Sequence, residues 1–217
     1  NSEYYNTQEC FDQLYQDSLH GKRFTQLMDI VTSEENIMLA YRSIKKNKGS
    51  KTKGTNNSTI VQMGEKAPNE LISYVRKRLQ NSHAIRRVEI PKPDGRLRPL
   101  GIPTIEDRII QQCIKQVLEP ICEAKFYKHS YGFRPNRSAH HAIARAMFLA
   151  NQSGFHFVVD VDIKGFFDNV NHGKLLKQLW TLGIQDKQLL RVLSKMLKAP
   201  IAGVGIPEKG VPQGGIL

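Results

Sequence analysis

At 217 residues the chain is long enough to bury a core of its own, as one large domain or two small ones. Lys and Arg outnumber Asp and Glu by 32 to 20, and the resulting formal net charge of +12 points to a polyanionic partner. Cys10, Cys113 and Cys122 are an odd number without a C-x-x-C pair, which argues against a disulfide framework or a zinc knuckle. No apolar run approaches the ~20 residues of a membrane span and no signal-peptide pattern is visible, so the expected setting is a cytoplasm, with no membrane partner.

Taken in chain order, the first 46 residues read as helical. Phe11, Leu14, Tyr15 and Leu19 recur at helical spacing, and Thr32 with Glu35 has the spacing of a capping box ahead of IMLAYRSI. The window from Arg42 to Lys53 then holds six basic residues and no acidic one, and NKGSKTKGTNN predicts a basic, mobile loop. Lys46, Lys48, Lys51 and Lys53 in it suit sequence-independent contact with nucleic-acid phosphates. A helix opened by Pro68 follows, with the second basic cluster, Arg76, Lys77, Arg78, Arg86 and Arg87, at and beyond its end.

RRVEIPKPDGRLRPLGIP predicts a β-hairpin that turns at Pro93-Asp94-Gly95. Its cations stand where a nucleoside triphosphate could be met: Lys92 and Arg98 flank the turn, and Arg96, of the same strand parity as Arg98, competes with it. Thr104 and Asp107 cap a long helix that Pro120 is expected to kink or split. In SYGFRPNRSAHHAI, Arg134, Asn136 and Arg137 precede a helix opened by Ser138, an arrangement suited to phosphates. The alternative for Arg134 is an internal pairing with an acidic group. His140 and His141 are adjacent on that helix and point to different faces, so they do not share a metal.

FHFVVDVD predicts a strand with Phe155, Phe157, Val159 and Val161 on a core face and Asp160 and Asp162 on the other. Asp162, at the C-terminal end, suits a hard cation with oxygen ligands, joined by a nearby main-chain carbonyl. Asp168 is read as a cap of the turn before the helix at His172. Two further helices, HGKLLKQLWTLG and DKQLLRVLSKMLK, precede a closing PIAGVGIPEKGVPQGG that reads as a hairpin entering a loop. There Gly214 and Gly215 permit close backbone approach, and Gln213 offers both amide ends for hydrogen bonds.

Four blocks in fixed order, PKPDGRLRPLGIP, SYGFRPNRSAHHAI, VDVDIKGFFDNVNH and GVPQGG, together resemble the reverse transcriptase domain of group II intron-encoded proteins, also called maturases. The resemblance covers residues 35 to 217 or so. It implies an α+β, helix-rich fold with antiparallel β elements: the fingers and partial palm of a right-hand polymerase. The expected layout is a helical extension and basic loop over 1–58, fingers with the start of the palm over 59–154, and partial palm over 155–217. The implied activity of the parent protein is RNA-directed DNA polymerisation by two-metal nucleotidyl transfer, with intron RNA bound for splicing and mobility. The competing reading is an RNA-binding splicing cofactor whose catalysis is vestigial.

Residue by residue, the resemblance makes Asp162 the first catalytic aspartate and a Mg²⁺ ligand, with the Ile163 carbonyl as a second ligand. It makes Phe167 the aromatic beneath the incoming sugar, Lys92 and Arg98 the triphosphate contacts, and Gln213 a contact to the nascent base pair. Asp160 stands where relatives tolerate other side chains, and Asn56 or Asn57 where they often carry an acid. The implied cofactor is Mg²⁺, two ions in the full-length enzyme. The implied partners are intron RNA, template RNA with a DNA primer and deoxynucleoside triphosphates, in a bacterial cytoplasm, and whether a second copy of the chain joins them as a homodimer is left open. The chain starts without Met, stops at GVPQGGIL and lacks the family's Tyr-x-Asp-Asp motif, so it reads as a fragment expected not to polymerise by itself.

Overall fold

The computed structural model describes residues 2–79, 81–91, 93 and 95–216. In it α1 (Gln8–Leu19), α2 (Leu27–Val31), α3 (Glu34–Lys46), α4 (Ile60–Gly64) and α5 (Pro68–Arg78) precede a two-stranded antiparallel sheet, β1 (Arg86–Pro91) and β2 (Leu97–Ile102). Then follow α6 (Ile105–Glu123), α7 (Ala139–Gln152), α8 (His172–Thr181) and α9 (Lys187–Leu197). The fold is helix-rich α+β, as expected. None of the described helices is long and apolar enough to cross a membrane.

Helix α6 is the axis of the core. Thr104 caps it by accepting from the Asp107 N–H at 3.3 Å, and Ile105, Ile109, Ile114 and Ile121 are fully buried along its inner side. Helices α1 and α3 both pack on it, and the apolar cluster around it runs from Leu14 to Leu193, drawing on all three expected regions of the chain. Three polar contacts fix the packing where apolar side chains alone would leave it free to slide. Asn36 Nδ2 donates to the Cys113 carbonyl at 3.1 Å while Gln116 Nε2 donates to Asn36 Oδ1 at 2.7 Å, and Ser18 Oγ donates to the Ile121 carbonyl at 2.8 Å. Burial pushes the Cys113 thiol up to about 12 and that of Cys122, with Glu119 adding to the effect, to about 11. All three cysteines are free.

Several local expectations shift. The cap of α3 is Ser33, whose Oγ accepts from Asn36 N, while Thr32 turns its hydroxyl back to the Met28 carbonyl at the end of α2. Helix α6 runs through Pro120 without splitting, because a proline in the last turn removes only one ladder bond. The cap of α8 is Asn171, accepting from Lys174 N at 2.9 Å, so Asp168 has no capping role there. The terminal hairpin reduces to a single bridge between Ile201 and Gly205.

The basic segment is not the mobile loop its composition suggests. Residues Lys48–Lys51 form a 3₁₀ turn with Ser50 buried, because Arg108 reaches across from α6. Its Nη1 donates to the Gly49 carbonyl at 2.8 Å and its Nη2 to the Thr52 carbonyl. Gly54 then approaches so closely that a Cβ would lie 2.7 Å from Thr104 Cα.

The largest departure is the acidic segment. Residues 155–163 are irregular and exposed, with Phe157 at 97% and Val159 at 85%, although both belong to the expected core face. Strand geometry requires a hydrogen-bonded neighbour. Among the described residues the only paired strands are β1 and β2, so this run has nothing to pair with. Helix α7 before it likewise buries none of its residues.

Candidate active site and nucleic-acid interface

The segment 210–214 works as a clasp between two parts of the chain far apart in sequence. On one side the Gly210 N–H donates to Val170 O and the Val211 N–H to Phe167 O, both at 2.8 Å. His172 Nε2 donates to the Gly210 carbonyl at 2.7 Å; a carbonyl only accepts, so this nitrogen carries the proton. Gly210 has φ +86, and a Cβ there would stand 2.9 Å from Asp168 O, so both its conformation and its clearance require glycine.

On the other side the Gly101 N–H of β2 donates to Gln213 O at 2.8 Å, and Arg98 Nε donates to Gln213 Oε1 at 2.6 Å. Gly214 has φ +102, a backbone conformation that side-chain-bearing residues rarely adopt, which accounts for the first glycine of the PQGG pair. The clasp thus brings Arg98 and Gln213 into contact and ties both to the short 3₁₀ turn that carries Phe167. Phe167 is 46% exposed and meets Phe166 edge-on with centroids 5.6 Å apart. A cavity of about 160 Å³ opens beside the clasp, lined by Arg87, Leu100, Asp168, Lys209, Val211 and Gln213 among others.

Asp162 lies five residues before Phe167, exposed, and makes no hydrogen bond or ion pair among the described residues. Its carboxylate is therefore open to a hard cation, and Ile163 beside it is exposed too. No group of three His, Cys, Asp or Glu gathers to hold a metal among the described residues. Asp162 fits as one ligand of a metal site and does not complete one. Lys92 lies outside the described residues.

The proposed RNA contacts divide. Lys46, Lys48, Lys51 and Lys53 are all exposed, Lys46 at the end of α3 and Lys48 and Lys51 in the turn that Arg108 holds down. Asn136 and Arg137 are exposed ahead of α7, with the Arg137 guanidinium 5.9 Å from the Tyr131 ring centroid. Arg134 takes the internal alternative. Its Nε and Nη2 meet the Glu123 carboxylate, the shortest contact 2.6 Å, while Nη1 donates to the Tyr127 and Ser130 carbonyls at 2.7 and 2.8 Å. Pairing with Glu123 raises its pKa further, and the side chain is only 6% exposed. With its fork spent on these partners, Arg134 braces the SYGF loop against the end of α6 and is not a phosphate contact.

Sequence reasoning missed the polar cluster at the start of α6. Asn56 Nδ2 donates to both oxygens of Glu106 at 3.2 Å, so here the amide at this position serves a buried acid. Burial pushes the Glu106 carboxyl up, but its own backbone N–H, Asn56, Ser58 and Thr104 outweigh that and hold it below its ordinary 4.5. Asp107 goes the other way, raised by burial despite the His83 N–H and Thr104.

A lowered folded-state pKa means that Glu106 contributes stability above 4.5 that is lost as pH falls through the folded value. Glu106→Gln should therefore flatten the acid limb of a Tm-against-pH curve, and Asp107→Asn should not. An acid limb unchanged in Glu106→Gln would sink this account.

A family model for reverse transcriptase (RNA-dependent DNA polymerase) matches residues 90–217. The chain is 36% identical over 205 residues to Protein YkfC of Escherichia coli (strain K12), covering 90% of this chain and 53% of that one. To the group II intron-encoded protein LtrA of Lactococcus lactis it is 34% identical over 216 residues, covering 98% and 34%. To the putative COX1/OXI3 intron 1 protein of Saccharomyces cerevisiae it is 32% identical over 214 residues, covering 95% and 25%. The chain thus spans about half the length of YkfC and a third of LtrA. The chain therefore belongs to the reverse transcriptase (RNA-dependent DNA polymerase) family and has group II intron-encoded proteins among its relatives.

Proposed function

We propose that these residues form the fingers and part of the palm of an RNA-dependent DNA polymerase encoded by a group II intron, acting in a bacterial cytoplasm and binding its intron RNA for splicing and mobility. The layout is a helical extension with its basic loop over 1–58, fingers with the start of the palm over 59–154 and partial palm over 155–217. The observation that carries this reading is the clasp. It joins Arg98, a cation suited to a triphosphate, to Gln213, an amide suited to a base pair, and ties both to the turn bearing Phe167.

In this reading Lys92 and Arg98 neutralise the triphosphate of the incoming deoxynucleotide, while Phe167 packs beneath its sugar. Gln213 orients the nascent pair. The Arg98 Nε–H fixes the Gln213 amide with its oxygen toward the arginine, leaving the Nε2 donor end directed away from it. Lys46, Lys48, Lys51, Lys53, Asn136 and Arg137 hold template and intron phosphates. Asp162 and the Ile163 carbonyl would hold Mg²⁺, which when bound supplies the charge that aligns a primer hydroxyl with the leaving pyrophosphate. The further carboxylate of a two-metal site comes, in this reading, from chain outside these 217 residues, so these residues by themselves do not polymerise.

The test is primer extension by the intact parent protein on an RNA template, with deoxynucleoside triphosphates and Mg²⁺. Extension is expected, and Arg98→Gln should raise the KM for nucleotide about tenfold, the equivalent of one charge-assisted contact. RNA binding without any extension would leave the splicing-cofactor reading in its place.

A further inference from the structure

We propose that the groove between α9 and the loop that follows α5 is a second docking surface for an RNA phosphodiester backbone, distinct from the lysines at 46–53. The inference rests on the RNA-dependent reading above. Helix α9 is strongly two-sided: Leu189, Val192 and Leu193 are buried, while Lys187, Arg191 and Lys195 recur every four residues on the exposed side and Lys198 follows at the C-cap. Each step along this row is one helical turn, about 6 Å, so successive cations reach separate charges of a linear polyanion.

The row borders a cavity of about 530 Å³. Arg191, Lys195 and Lys198 line it with Asn81, Ser82 and Ser194, and no acidic side chain lines it among the described residues. Amide and hydroxyl groups beside cations suit phosphate oxygens. A membrane surface would call for large apolar side chains on the same face, and the apolar part of this lining is confined to Ala199 and Pro200.

Both walls are fixed by the fold. Asp186 caps α9 through the N–H groups of Gln188 and Leu189, at 2.8 and 3.0 Å, and its other oxygen accepts from Met28 N at 2.9 Å. The Ile85 N–H donates to Pro200 O at 2.7 Å, and the Ala202 N–H to Ile85 O at 2.9 Å, which sews the loop after α5 to the chain after α9. The groove also adjoins the candidate site, since Ala199 lines both it and the cavity beside the clasp. A strand lying along α9 is thereby led toward Gln213.

The test measures binding of the full chain to a labelled structured RNA across a salt series. In Arg191→Gln/Lys195→Gln/Lys198→Gln the slope of log affinity against log salt should fall by about 2 to 3, and affinity at low salt at least tenfold. Each single substitution should lower the slope by about 1, which keeps the test open if the triple variant folds poorly. Lys195→Arg/Lys198→Arg should keep the wild-type slope. Lys48→Gln/Lys51→Gln serves as the reference for the other basic segment. If the reference variant loses slope while the α9 variants keep it, this inference fails and the RNA reading stands; if the unsubstituted chain binds no RNA, both fail together. Loss of binding to anionic phospholipid vesicles in the α9 variants, with RNA binding intact, would assign the groove to a membrane and also overturn the proposal.

Discussion

Asp162→Asn in the intact parent protein should lower RNA-templated nucleotide addition by about 10³-fold or more while leaving RNA affinity within about twofold. The magnitude follows from losing one full negative charge at a metal ligand, a loss of about 4 kcal/mol in transition-state stabilisation, with each 1.36 kcal/mol worth roughly tenfold in rate. The fold should not notice the change. Asp162 is exposed, and no hydrogen bond or ion pair depends on it among the described residues, so an amide of the same shape removes nothing structural. Unfolding free energy should move by less than about 0.5 kcal/mol. Asp160→Asn is the contrast: two residues earlier, and expected to keep most of the activity. Steady-state extension with both variants beside a Tm for each decides the matter. Asp162→Asn retaining more than a tenth of the activity, or Asp160→Asn losing as much, would remove Asp162 from its assigned role.

Arg108→Met should destabilise the chain by about 2–3 kcal/mol and free the basic segment it holds. Arg108 is 8% exposed and is the one described side chain that donates to the carbonyls of Gly49 and Thr52. Charge-assisted hydrogen bonds of this kind are worth about 1.5–3 kcal/mol each, less what water returns to carbonyls at an exposed loop. Arg108 also offsets the buried Glu106 charge, a compensation that methionine lacks. In a chain of this size the change corresponds to a fall in Tm of roughly 5–10 °C. Amide exchange over 47–54 should accelerate, and RNA affinity should drop about threefold because Lys48 and Lys51 lose their fixed presentation. Arg108→Lys keeps the charge without the fork and should recover only part of both effects. Unchanged exchange in 47–54 for Arg108→Met would show that the segment is held by something else.

The two predictions fall on either side of what a sequence can disclose. The Pro68 helix start, the Thr104 cap of α6 and the antiparallel pairing of β1 with β2 were all legible, because each depends on residues close to one another along the chain. So were the site residue types, since a carboxylate, a flanking aromatic, a basic hairpin and a Gln-Gly-Gly turn keep their order along the chain. The two readings of Arg134 could not be separated by pattern; Glu123, eleven residues back, decided between them. Composition misjudged the 47–57 segment because Gly, Lys, Ser and Asn describe what a loop cannot bury and are silent about a guanidinium arriving from residue 108. Alternation misjudged residues 155–162 for a related reason: a period of two marks a segment able to become a strand, and pairing needs a second strand beside it.

By itself the sequence determined the helical content, the hairpin, the excess of positive charge and the order of the motifs, all set by local backbone preference and side-chain chemistry. Only the tertiary structure decided that Gln213 meets Arg98 across 115 positions, that Asp186 ties α9 to α2 across 158, and that Arg108 folds a lysine-rich loop into a fixed surface. Contacts of that range depend on how helices pack around α6, and packing leaves no periodic trace in the residues that it brings together.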